Sequence, residues 1–286
     1  MSPALGIGLA VFSALCWGGL DALRKKLSAH INALPLTFWL VVGQWPVFLL
    51  WVVWSGEYRF TIDWILPGSI VSALAIAGAV MFIKAVQISD LSLVIPILSF
   101  TPVFATMTSA LILGELPTSI QMVGIAVIVS GALALGWAGI KTGSKGLYDR
   151  GVWIMIAVAL CWASTLTFDK LALRHASVPM HALLLSVLMG LTLLLILALR
   201  RSLHELSGIT HHKRLYFWSI LTGCLATGAQ LIAITMIQVG IVEAIKRSIG
   251  LALSVLSGWL FFKEPPTLIK QIAIAWMGVG VLILVL

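Results

Sequence analysis

The sequence predicts an all-α polytopic membrane protein of ten transmembrane helices, arranged as two inverted five-helix repeats. Three observations predict it. Of the 286 residues, 60% are hydrophobic and 10% charged, with a mean hydropathy of +1.10, where a soluble protein carries roughly 25% charged residues. Apolar runs of about 20 residues recur from Leu5 to Leu286, the length a helix needs to cross a bilayer and about twice what a transmembrane strand needs. A pattern in the first half of the chain also returns in the second.

Backbone groups in hydrocarbon must be satisfied internally, so spans of this length are helices. The expected spans are 4–23, 34–54, 64–85, 91–113, 120–140, 151–171, 179–199, 215–237, 241–262 and 267–286. The first has no basic segment ahead of it, and its basic cluster Arg24, Lys25 and Lys26 follows it, as in a retained span rather than a cleaved signal. Glu57, Arg59 and Asp63 separate the second span from the third, and a tight turn around Gln87–Asp90 separates the third from the fourth. The fourth carries Pro96 and Pro102, which remove helix hydrogen bonds and make a kink and a gating role the expectation there. Gly114, Glu115, Leu116 and Pro117 end it. Lys141–Arg150 divides the halves, giving repeats over 1–143 and 144–286. Asp169, Lys170, Arg174 and His175 close the sixth span, and Pro179 opens the seventh. Arg200–Arg214 is the longest polar stretch; the break near Val239 and Gly240 is the faintest, and Lys263–Pro266 forms the last. No connection is long enough for a soluble domain.

Small residues four apart let helix backbones approach closely. Such rows run through Gly6, Ala10, Ala14 and Gly18; Ser69, Ala73 and Ala77; Ala126, Ser130, Ala134 and Ala138; and Gly250, Ser254 and Gly258. Cys16, Cys161 and Cys224 lie within apolar runs, spaced for neither a disulfide framework nor a zinc site. The net charge of +8 comes from basic residues that punctuate the apolar runs, as membrane topology signals do. No nucleic-acid partner, metal or cofactor is expected; the partners are the lipid bilayer and a small-molecule substrate. A monomer is physically sufficient, with a homodimer left open.

The repeat is explicit. Ala14-Leu15-Cys16-Trp17 returns as Ala159-Leu160-Cys161-Trp162, 145 residues later, and at that offset Lys25 meets Lys170. Leu113-Gly114-Glu115-Leu116-Pro117 is echoed by Phe262-Lys263-Glu264-Pro265-Pro266, the glutamates 149 apart. An odd number of crossings per copy inserts the second copy from the opposite side. That symmetry makes two conformations nearly equivalent, one open to each face, which is the basis of alternating access.

The Cys16-Trp17-Gly18-Gly19 segment, Gly114-Glu115 followed by Pro117, Lys263-Glu264-Pro265 and Ala244-Ile245-Lys246-Arg247-Ser248 together resemble the ten-span EamA-like branch of the drug/metabolite transporter superfamily. The resemblance covers nearly the whole chain. It implies a carrier in a cell membrane with its substrate cavity between the halves; for a bacterium this is the inner membrane. Members move amino acids, amines, drugs, sugars and phosphorylated metabolites, so cargo stays open.

Glu243, Lys246 and Arg247 fall early in the ninth span, three and four apart, and so share one side of a helix. An ionised group in hydrocarbon is expensive unless it pairs, snorkels or faces water. One reading is a neutralised cluster at the membrane edge; the other is a cationic patch in the cavity. The adjacent Lys246-Arg247 resembles the pair that phosphate-translocator and nucleotide-sugar branches use for phosphate, which implies an anionic or phosphorylated metabolite. Lys84 is a further candidate, or snorkels to the interface. Trp17 and Trp162 occupy matching positions and serve either the cavity or interfacial anchoring. Gln44, Gln230 and Gln238 offer hydrogen bonds to cargo or to neighbouring helices. Asp21, three and four before Arg24 and Lys25, reads as a surface ion pair.

Thirteen basic residues lie in or beside the odd-numbered connections and three in the even ones. The positive-inside rule therefore puts the odd connections in the cytoplasm and both termini outside, whereas the resemblance implies cytoplasmic termini. An enzyme is not expected: no nucleophile-base spacing, His-Glu-x-x-His or phosphate loop is present. Exporters of amino acids, amines or drugs and a lipid flippase of the same fold stay as alternatives.

Overall fold

A computed structural model describes residues 3–27, 31–89, 95–137, 150–206, 213–262 and 268–285. The first repeat holds α1 (Pro3–Leu27), α2 (Ala33–Ser55), α3 (Ile65–Ile88), α4 (Thr101–Leu113) and α5 (Ser119–Trp137). The second holds α6 (Arg150–Ala172), α7 (Val178–Leu199), α8 (Lys213–Met236), α9 (Val239–Phe262) and α10 (Leu268–Val285). Among the described residues α1, α2, α3, α6, α7 and α8 are long and apolar enough to cross a membrane, while the apolar stretches of α4, α5 and α10 are shorter. Large apolar side chains such as Leu50, Trp54, Leu111 and Leu199 point outward, which water would penalise and lipid accepts. The protein is a multi-pass integral membrane protein.

Helix limits follow the expected spans with three corrections. The basic cluster after the first span belongs to α1, which runs on to Leu27. The eighth break falls at Ile237–Gln238, before Val239 and Gly240 rather than at them. The fourth span is interrupted: a 3-10 segment, Ile95–Phe100, leads into α4. Pro102 thus lies in the first turn of α4 instead of kinking a continuous helix. There its missing N–H costs no intrahelical bond. Pro96 falls in the 3-10 segment, and its side chain lies outside the described residues. The expected boundary between 143 and 144 also lies outside them.

The helices with the most extensive packing map onto one another when each helix is exchanged for its counterpart five places along. The α1–α8 seam corresponds to α6–α3, α1–α9 to α6–α4, and α2–α8 to α7–α3, while α2–α7, α4–α9 and α5–α10 map onto themselves. Repeat contacts repeat, so neither half forms its core alone.

Only one row of small residues packs as expected throughout. Ala10 and Ala14 are buried, and Gly6 and Gly18 meet Ile237 and Leu253. Ser69, Ala73 and Ala77 on α3 face outward, as do Ala126, Ser130 and Ala134 on α5. Close approach there comes from other residues: a Cβ on Gly124 would lie 3.1 Å from the Gly280 carbonyl, and one on Gly280 would lie 2.9 Å from that of Gly124. In lipid, outward alanine carries no hydration penalty, so small residues do not mark one face. A Cβ added to Gly250 would have no neighbour within 4 Å, and the rest of that row lies outside the described side chains.

One end of the bundle bears both termini and is called the terminal face. Its connections are bonded to one another across the repeats. The α2–α3 connection pairs with the α6–α7 turn through Phe60 and Ala176, with Thr61 N donating to His175 O and Ser177 N to Arg59 O, both at 2.9 Å. Arg59 Nη2 donates to the Leu173 and Ala176 carbonyls at 3.2 and 3.0 Å. Beneath them Trp64 Nε1 donates to His181 Nδ1 at 2.8 Å, and His181 Nε2 lies 3.0 Å from Asp169 Oδ1. Indole N–H is only a donor, so His181 carries its proton on Nε2 and donates it to Asp169. All three are buried.

Candidate functional site

The interruption before α4 positions the first element of the site. It turns Thr101 toward α9 at the start of α4, where its hydroxyl donates to Leu98 O at 2.8 Å and accepts from Arg247 Nε at 3.1 Å. Gly240 lets α9 approach: a Cβ there would collide with Thr106 Oγ1 and lie 3.3 Å from the Thr106 backbone.

On α9 the helical spacing brings Glu243, Lys246 and Arg247 into one cluster. Lys246 Nζ forms an ion pair with Glu243 Oε2 at 2.5 Å, and Arg247 Nη2 donates to Glu243 Oε1 at 3.2 Å. The carboxylate is 1% exposed, its two partners 23% and 19%. A carboxylate this buried is tolerable because two paired cations, one of them hydrogen-bonded to it, replace its water. The cations, by contrast, keep part of their surface open.

Across from α9, α1 contributes Asp21 and Arg24, 3.6 Å apart. Asp21 is 71% exposed, and the positive charges of Lys246 and Arg247 are near enough to act on it. The exposed pair with Arg24 is the one its spacing predicts. Arg24 stands over the Trp17 ring, 5.6 Å from its centroid, within the range of a cation–π contact. Trp17 Nε1 in turn donates to Gln230 Oε1 on α8 at 3.0 Å, and Ser13 Oγ donates to Ala226 O at 2.7 Å.

Trp162, the repeat counterpart of Trp17, has its ring 5.4 Å from Phe82, and Gly78 leaves room for it. Phe82 in α3 and Gln230 in α8 are each the eighteenth residue of their helices. The same place in the fold is thus polar in one repeat and aromatic in the other. The tryptophans match; their partners do not.

The remaining candidates scatter. Gln44 on α2 sits against Gly223 of α8, where a Cβ would lie 3.0 Å from its Nε2. Lys84 is exposed on α3. Gln238 is committed to the terminal face, where Nε2 donates to Leu116 O at 3.1 Å. Glu264 lies outside the described residues. Thr101 and the Asp169–His181–Trp64 set carry no local sequence signal, because each is defined by partners on other helices.

Residues 4–137 and 149–286 each match the family model described as the EamA-like transporter family. Among solved structures, 28 chains match. One, a crystal structure described only as that of a protein, has a TM-score of 0.77 at 16% identity, covering 99% of this chain and 96% of that one; the likeness shows the fold alone. No curated protein matches the sequence. With both halves matched across nearly their whole length, the chain belongs to the EamA-like transporter family, a family of membrane transporters.

Proposed function

We propose that the protein carries a small organic anion across the membrane by alternating access, with its cargo site between α1, α4, α8 and α9. The observation that supports this is the charge balance of the interior cluster. Arg24 and Asp21 on α1 and Glu243, Lys246 and Arg247 on α9 make three cations against two carboxylates, and the cations keep exposed surface. A surplus positive charge held inside a membrane protein is costly unless it meets water or an anion. Arg247 brings a rigid fork suited to a carboxylate or phosphate, already oriented by Thr101 and Glu243. Lys246 adds a point charge beside it. Trp17 and Gln230 supply an apolar face and an amide for the uncharged part of the cargo. For a bacterial chain the membrane is the inner one.

The test has two steps. A metabolite panel is screened for thermal stabilisation, since a ligand bound only by the folded state raises its melting temperature; hits are then followed in proteoliposomes. Lys246→Ala and Arg247→Ala each lower uptake of an anionic hit about tenfold or more, the equivalent of roughly 1.4 kcal/mol. Uptake unchanged in both variants, for every anionic hit, removes these residues from the site.

Asp21 favours a second reading, an amphoteric cargo such as an amino acid. Its carboxylate is open and pairs loosely with Arg24, at 3.6 Å, which leaves it able to meet an ammonium. Asp21→Asn separates the readings: it weakens uptake of an amino acid while sparing the deaminated acid, or it treats both alike.

A further inference from the structure

At the terminal face, one ion pair joins the repeats through a turn that belongs to the site's own helix. Glu115 lies in the α4–α5 connection of the first repeat, and Lys170 lies near the end of α6 in the second. The two side chains are paired, and each makes a second bond to the turn between α8 and α9. Lys170 Nζ donates to Ile237 O at 2.8 Å, and Val239 N donates to Glu115 Oε2 at 3.1 Å. The lysine thus satisfies a carbonyl just past the end of α8, and the glutamate a free N–H at the start of α9. Each charge has the sign that its helix end favours. Gln238, between them, donates to Leu116 O at 3.1 Å. Gly114 permits the approach, ending α4 at φ 72°, where a side chain would be strained.

Exposure separates this pair from the one at the cargo site. Lys170 and Glu115 are 20% and 17% exposed, against 1% for Glu243. Water can therefore take up both charges when the pair parts, whereas Glu243 would be stranded. Beneath the pair the hydroxyls of Thr108 on α4 and Thr167 on α6 are 2.9 Å apart, and Thr167 is fully buried. Parting the pair removes the tie between the α4–α5 connection and α6, both of which are bonded to the turn that begins α9, and α9 carries Glu243, Lys246 and Arg247. The sequence sets the same two charges, Lys25 and Glu264, at the equivalent places of the two repeats.

We infer that the Glu115–Lys170 pair is a latch that holds the terminal face shut, and that its release opens the charged cluster to that face. The inference rests on the alternating-access reading. A cysteine replacing Thr167, with Cys16, Cys161 and Cys224 changed to alanine, reports from just below the latch. Reaction with a membrane-impermeant maleimide is followed from the terminal face in oriented vesicles. Glu115→Gln and Lys170→Met each raise the labelling rate about tenfold. The double variant adds no further increase, because the same bond is already lost. Glu115→Asp, which keeps the charge on a shorter stem, gives an intermediate rate and serves if the neutral variants do not fold. A rate equal to that of the parent in folded variants overturns the latch, as does an equal rise from both faces. Uptake by the Arg247→Ala variant fails or survives independently of this labelling, so loss of the latch and loss of the carrier reading are told apart.

Discussion

Glu243 is the residue on which the site's electrostatics turn. Its spacing to Lys246 and Arg247 was legible in the sequence because helical periodicity alone brings i, i+3 and i+4 together. That both cations share one carboxylate, and that Thr101 completes the set, was not legible, since Thr101 arrives on a different helix. Removing one member of a buried ion set leaves the others uncompensated. Glu243→Gln is expected to lower stability by about 3 kcal/mol, read as a drop in melting temperature in detergent; an unchanged melt contradicts the assigned burial. His181 makes the same point through hydrogen bonds. His181→Ala leaves Trp64 Nε1 without its acceptor and Asp169 without its donor, a loss of about 1–3 kcal/mol. His181→Phe, which refills the volume but restores neither bond, recovers little of it. Full recovery in the phenylalanine variant would show that the histidine only fills space.

The elements were easier to find than to join. Ten helices follow from apolar length, but the same prolines that predict a kink in the fourth span also suit the start of a helix. Tertiary packing against α6 and α9 selects the latter, and with it the placement of Thr101. Small-residue rows were equally two-sided, packing along α1 and facing outward on α3 and α5. Glycines judged by their neighbours discriminate better. Gly240→Ala forces its Cβ against Thr106 and is expected to cost about 1–3 kcal/mol. Gly250→Ala, with open space around it, stays within about 0.5 kcal/mol of the parent. A paired melting experiment checks both, and equal effects would contradict the α4–α9 approach.

At the scale of the molecule, the recurrence of Ala14–Trp17 as Ala159–Trp162 announced a duplicated fold, and the pairwise correspondence of helix contacts carries it through. The duplication is not uniform: Trp17 meets Gln230 where Trp162 meets Phe82. Symmetry thus governs the scaffold, and its departures supply chemistry on one side. That difference depends on which helices face each other, which no offset within the chain reveals. The basic residues make a separate prediction about the whole molecule. A C-terminal reporter active only in the cytoplasm is expected to stay silent, as the positive-inside count requires; an active one reverses the assignment of faces and leaves the fold untouched.

Access to the interior from both sides is the claim to which the rest is attached. A cysteine replacing Gln230, in the cysteine-free background, is labelled by an impermeant maleimide in right-side-out and in inverted vesicles, with and without a stabilising metabolite. A carrier predicts reaction from each face, with the metabolite protecting the position or shifting the ratio between faces. Reaction from one face alone, unmoved by any ligand, would contradict the account.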